Sequence, residues 1–170
     1  MKKSIIVIIL ILNYVAVHAQ DQKFQLQSVN TGFGGFSIKN AIIEGGGAML
    51  LVDLTTSYNN NLFMASLLTG SEIGIVGKSN YGFNEFSLLY GRDLKLIRWF
   101  AFEAFAGIGF YNQNSVDRYI NDGNSISFPL KINSKFYFNK KFGMGINANY
   151  SINKINNNFS SNLIFHWRYN

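Results

Sequence analysis

The chain has no cysteine. That excludes disulfides, thiolate metal sites and a cysteine nucleophile. Charge is scarce: Asp, Glu, Lys and Arg make up 14% of the 170 residues, against roughly 25% in ordinary soluble domains. The formal net charge of +6 is spread along the chain without a basic cluster, so no nucleic-acid partner is expected. After residue 19 there is no long apolar run, so no transmembrane helix is expected. His18 and His166 are the only histidines. One or two imidazoles among scattered carboxylates form no metal-ligand spacing, and neither metal nor cofactor is expected.

What is present is a leader and a pattern. Lys2 and Lys3 precede the apolar run from Ile5 to Leu12, and Val17-His18-Ala19 has the small-x-small form of an export cleavage site. Residues 1–19 are therefore expected to be a signal peptide and 20–170 a single domain. The run is short of the ~20 residues that an uncleaved anchor helix needs. Removing Lys2 and Lys3 leaves a formal charge of +4.

In the second half, Ile126, Phe128, Leu130, Ile132, Phe136 and Phe138 alternate with Ser125, Ser127, Pro129, Lys131, Asn133, Lys135 and Tyr137. Met144, Ile146, Ala148, Tyr150 and Ile152 alternate with Gly143, Gly145, Asn147, Asn149, Ser151 and Asn153. A period of two is a β-strand with one apolar and one polar side. These runs exceed the ~5–6 residues of soluble strands and reach the ~9–11 needed to cross a bilayer at a tilt. The polar side is Asn, Ser and Gly rather than Lys and Glu. That suits a polar face that is enclosed and an apolar face set in lipid.

Eight strands are predicted near 24–38, 45–58, 61–76, 80–93, 97–111, 124–138, 141–153 and 159–169. Gly32-Phe33-Gly34-Gly35-Phe36 predicts a bulge or bend in the first strand, and Gly45-Gly46-Gly47 allows similar distortion in the second. The second, fourth and sixth connections are expected to be short, at Asn59-Asn60, Leu94-Lys95-Leu96 and Asn139-Lys140. Asn suits tight turns because it tolerates positive φ. The connections at 39–44, 112–123 and 154–158 are longer, whereas 77–79 is short. Short turns on one side and longer loops on the other are the transmembrane-barrel pattern, with short turns toward the periplasm. Tyr58, Phe63, Phe100, Phe138, Phe142 and Tyr169 lie by the short turns or the C-terminus, and Phe110 and Tyr150 near the other ends. Two aromatic girdles are expected from that placement.

Four segments carry a family likeness: Phe86-Ser87-Leu88-Leu89-Tyr90-Gly91, Ala104 to Tyr111, Ile126 to Leu130, and the last strand with Leu163, Phe165, Trp167 and Tyr169. On these the mature chain resembles the small eight-stranded outer-membrane barrels of Gram-negative bacteria, the porin-like outer membrane protein beta-barrel family. The resemblance implies an all-β, antiparallel, up-and-down transmembrane barrel in the outer membrane. It also implies contact with outer-membrane lipid and lipopolysaccharide. The last strand resembles the C-terminal signal read by the barrel assembly machinery, except that it ends on Asn170 rather than an aromatic.

The interesting charges fall on the polar face. By parity, Asp53, Glu72, Glu85 and Glu103 point away from lipid on strands two to five, and Lys131, Lys135, His166 and Arg168 do so on strands six to eight. An eight-stranded barrel is narrow enough for side chains to fill it, and enclosed charges must be paired. A lumenal charge network of these eight residues is the expectation. Glu85 with Glu103 could be read as an acid–base pair, and His166 as part of a triad. Neither has a nucleophile, cleft or second element beside it, so no catalytic residue is assigned. Gly107, Gly109, Gly143 and Gly145 sit within strands on the polar side, where they would leave room for large lumenal neighbours. Arg92, Arg98, Lys140 and Lys141 flank short connections, either reaching headgroup phosphates or staying solvated. The 112–123 loop, with Val116, Asp117, Arg118, Tyr119 and Ile120, is where an extracellular ligand would bind.

The pattern implies no enzyme. A structural or surface-interaction barrel with a plugged lumen is the first reading. A narrow passive pore and a soluble secreted barrel holding an apolar ligand are the alternatives. The soluble barrel would invert the two faces.

Overall fold

The computed structural model describes residues 24–39, 44–59, 61–72, 81–115 and 123–169. All elements among these are strands: β1 (Gln25–Lys39), β2 (Glu44–Tyr58), β3 (Asn61–Glu72), β4 (Tyr81–Ile97), β5 (Phe100–Ser115), β6 (Gly123–Tyr137), β7 (Phe142–Asn153) and β8 (Asn157–Arg168). Each pairs antiparallel with the next, and β8 pairs with β1. Closure leaves no open edge, so every strand has a partner on both sides. The ladder between β5 and β6 skips Gly107 and Ile108, opposite Phe128 and Pro129. A proline has no N–H to contribute there.

The period-two pattern becomes two surfaces. Leu50, Val52, Leu54, Leu67, Phe86, Leu88, Ile108, Phe128, Leu130, Ile146 and Leu163 all point outward and are exposed. A continuous apolar belt of that extent is not a water-facing surface. It is the reverse of the faces a soluble carrier requires. Lys131, Lys135 and His166 point inward with Asn133, Asn147, Asn149, Ser127 and Ser151, and all are buried.

The second and sixth turns follow their asparagines. Asn59 has φ 48°, the left-handed region that asparagine tolerates. The Asn139 side-chain oxygen accepts hydrogen bonds from the backbone N–H groups of Lys141 (2.8 Å) and Phe142 (2.7 Å). That local bond closes the β6–β7 turn. Asn153 closes the β7–β8 turn in the same way, at Ile155 and Asn156.

Three expectations need correction. The fourth connection is not Leu94-Lys95-Leu96. Those residues continue β4, and the turn is Arg98-Trp99. Asn112 to Ser115 belong to β5, because they pair with Tyr81 to Asn84 of β4. The 32–36 glycine segment and 45–47 run in unbroken register, and the irregularity of β1 lies between Leu26 and Ser28. At Gly34 the glycine serves close approach instead: a Cβ there would sit 2.0 Å from the Ser161 carbonyl oxygen of β8. Residues 1–23, 40–43, 73–80 and 116–122, which include the leader, the third connection and the core of the predicted binding loop, lie outside the described residues.

Candidate functional site

The interior of the barrel gathers the predicted charges in layers. Near the short-turn end, Arg168 lies over the Tyr137 ring at 5.0 Å, and Tyr137 meets the His166 ring edge-on at 5.2 Å. His166 Nδ1 is 2.6 Å from Asn30 Oδ1. Deeper in, Lys135 donates to Glu103 at 2.8 Å, and Asn133 donates to the other Glu103 oxygen at 3.2 Å. An amide relay runs on from Asn133 to Asn147 (2.7 Å) and from Asn147 to Asn162 (3.0 Å).

Lys131 reaches across the lumen from β6 to β2 and donates to Asp53 at 2.7 Å. Its second bond goes to Ser66 of β3 at 2.6 Å. β2 and β6 are opposite each other in the eight-strand ring. Both partners are almost fully buried, at 1% and 0% exposure, so water screens the pair little. Glu85 has hydroxyls in place of a cation partner: Ser127 and Ser151 (2.7 Å) both donate to its Oε1.

Toward the long-loop end the interior is apolar. Phe36, Ile38, Met49, Leu51, Leu68, Tyr81, Phe83, Tyr111 and Ile164 form one cluster. Phe36 of β1 meets Phe83 of β4 edge-on at 4.9 Å, and Phe83 stacks on Tyr111 at 5.4 Å. A polar knot sits with this cluster: the Tyr81 and Tyr111 hydroxyls are 2.5 Å apart, and Asn156 donates to Gln113 at 2.6 Å. A second cluster, Leu62, Met64, Leu89 and Phe105, lies nearer the short turns. Gly91 makes room for it, since a Cβ there would sit 2.3 Å from Phe105 Cδ1.

Of the eight predicted residues, Asp53, Glu85, Glu103, Lys131, Lys135 and His166 are buried inside. The other two lie at the rims of the barrel. Glu72 ends β3 at the long-loop rim, and Arg168 is half-exposed at the short-turn rim. Glu85 and Glu103 are engaged separately, so they are not one carboxylate pair. At Gly107, Gly143 and Gly145 a Cβ would meet backbone carbonyls of the adjacent strand, and only at Gly109 would it meet lumenal side chains, the Ser87 and Ser127 hydroxyls.

Sequence reasoning missed the serine and asparagine partners and the aromatic layer. The parity that turns Glu85 inward also turns Phe83 and Tyr81 inward. That signal was present in β4.

The outer rim at the short turns is aromatic, as expected. Phe24 stacks on Tyr58 at 4.8 Å, and Phe63 meets Tyr90 at 5.6 Å. Trp99 stacks with Phe136 at 6.2 Å, and Phe142 packs on Trp167 at 5.4 Å.

No protein-family model matches the sequence, and no curated protein does. Solved structures do match in shape. Neisserial surface protein A has a TM-score of 0.73 at 8% identity, covering 86% of this chain and 99% of that one. The chain has the fold of the small eight-stranded outer-membrane barrels. Ail, the attachment invasion locus protein of Yersinia pestis, matches with a TM-score of 0.63 at 12% identity over 84% of this chain and 97% of Ail. The outer membrane protein OprG of Pseudomonas aeruginosa gives 0.50 at 7% identity over 85% and 97%. At such identities the likeness is one of fold.

Proposed function

We propose that the protein is an integral outer-membrane barrel with a structural or surface-interaction role, and that its own side chains close its lumen. Residues 1–19 would direct export, residues 20–170 would form the barrel, and β8 would present the assembly signal. The exposed apolar belt supports residence in lipid, with lipopolysaccharide around the long-loop end.

Closure rests on one observation: side chains from non-adjacent strands bond across the lumen at successive levels. Lys131 reaches Asp53, Phe36 meets Phe83, and Asn156 of the β7–β8 turn reaches Gln113 of β5. A water-filled passage would have to part each of these. The serines that meet a carboxylate or an amine, Ser127 and Ser151 on Glu85 and Ser66 on Lys131, are almost fully buried and out of a substrate's reach, so a non-enzymatic role fits best. The names of two of the similar proteins, a surface protein and an attachment protein, accord with a role in surface contact. The ends of β5 and β6 would carry the loop that makes it.

The test is conductance across planar lipid bilayers with protein that shows a faster-migrating unheated band on gels. Folded protein that gives no current steps is expected. Steady steps would overturn closure and favour the narrow pore. Protein that folds and stays soluble without detergent would overturn the membrane reading altogether. N-terminal sequencing of exported protein should begin at Gln20.

A further inference from the structure

The short-turn rim has a chemistry that the interior does not use. Arg98 lies in the β4–β5 turn, Lys140 in the β6–β7 turn, and Arg168 at the end of β8. The three cations line one recess of about 500 Å³ together with Trp99, Tyr137 and Phe138. Trp99 and Phe138 are among the most exposed aromatics of the described residues. They continue the aromatic girdle and mark where the apolar belt stops.

The charged side chains that line this recess are all cationic. The ion pairs Lys131–Asp53 and Lys135–Glu103 both lie inside the barrel. Arg98 and Lys140 are exposed and take part in neither. Arg168 has the Tyr137 ring as its neighbour, which holds the guanidinium in place without neutralising it. The acids next to the recess are Asp93 of β4 and Glu103 of β5, both close enough to act on the Tyr137 hydroxyl beside Arg168. No carboxylate lines the recess.

We infer that this recess binds the phosphodiester headgroup of an anionic phospholipid from the inner leaflet of the outer membrane. The inference rests on the membrane reading above, with the short turns toward the periplasm. The chemistry is complementary at two levels. Two guanidinium groups and an ammonium face the phosphate, and guanidinium forks match phosphate oxygens. Trp99 and Phe138 lie at the depth of the glycerol and upper acyl chain, where amphipathic rings settle. A zwitterionic headgroup offers the same phosphate, but its own cation would be brought against three others. The site should therefore discriminate by net headgroup charge.

The protein carries its own probe, because its two tryptophans, Trp99 and Trp167, both lie at this rim. Trp167→Phe leaves Trp99 as the sole emitter beside the recess. The full mature chain is folded into vesicles of phosphatidylcholine containing a minor fraction of acyl-brominated phosphatidylglycerol, or the same fraction of acyl-brominated phosphatidylcholine. Quenching of Trp99 reports which lipid stands next to it.

The expected result is a relative affinity for phosphatidylglycerol about fivefold or more above phosphatidylcholine, the factor that ~1 kcal/mol, the contribution of a single interfacial cation, gives. High salt should shrink it. The preference should vanish in Arg98→Gln/Lys140→Gln/Arg168→Gln. Should that triple variant not fold, Lys140→Gln alone, in an exposed turn, should still reduce it.

Equal quenching by the two lipids overturns the headgroup site while leaving the barrel in its membrane. So does a preference that survives the substitutions. Loss of the preference on adding inorganic phosphate at matched ionic strength would mean a free-anion site and would also overturn it. Absence of quenching by either lipid would instead overturn the membrane reading on which the site depends.

Discussion

Replacing Lys131 by methionine keeps most of the side-chain length and removes the charge. The structure sets the magnitude. Lys131 supplies the one hydrogen bond that Asp53 receives among the described residues, through Oδ1, and Asp53 Oδ2 has none. The variant therefore strands a carboxylate at 0% exposure. Stranding one member of a buried pair costs ~3–5 kcal/mol, whereas losing a surface pair costs ~0–1. Loss of the bond to Ser66 acts in the same direction. The assay is urea unfolding from phospholipid vesicles, followed by tryptophan emission. Lys131→Met should lower stability by about 3 kcal/mol or more. Asp53→Asn in the Lys131→Met background should recover most of that loss, because the double variant buries no lone charge. A loss below ~1 kcal/mol in the single variant, or no recovery in the double, would refute a buried, mutually dependent pair.

Other consequences can be checked in the same vesicles. Leu88→Arg, on the outward face in the middle of β4, should cost ~2–4 kcal/mol if that face meets lipid near the midplane; a neutral effect would argue that it meets water. Phe83→Ala removes the ring shared by Phe36 and Tyr111 and should cost ~3–5 kcal/mol. It should also be the variant most prone to current steps in planar bilayers, and a silent, fully stable Phe83→Ala would contradict the aromatic layer as a seal. Gly91→Ala would place a Cβ 2.3 Å from both the Ala104 carbonyl oxygen and Phe105 Cδ1. Overpacking of ~1–3 kcal/mol is expected, read as slower or incomplete folding on the gel-shift assay.

The strands of β6 and β7 were legible almost to the residue, because their alternation is unbroken and strand geometry admits only one reading of it. The turn at Asn59 was legible because few residues other than glycine accept its φ. The fourth connection was not. Leu94 and Ile97 are as apolar as any strand residue and are both exposed outward, and the register with Phe102 and Phe100 carries β4 past them. Pairing with a neighbour, which no local pattern encodes, decided where that strand stops. The glycines of β1 were misread for a related reason. A local rule reads a glycine run as a bulge, but the register there is unbroken and Gly34 is set by how near β8 comes.

Alternation and composition by themselves determined that this chain makes eight long strands, that they close with apolar side chains outward, and which charges turn away from lipid. Those properties are local, since parity follows from the pleat. Only the tertiary structure decided who meets whom inside. That Lys131 spans the ring to Asp53, that Glu85 settles on two serines, and that Arg168 stays at the rim on Tyr137 all depend on the stagger and curvature of the closed sheet. Contacts across a lumen join strands far apart in the chain, so their partners are fixed by barrel geometry and not by any spacing in the sequence.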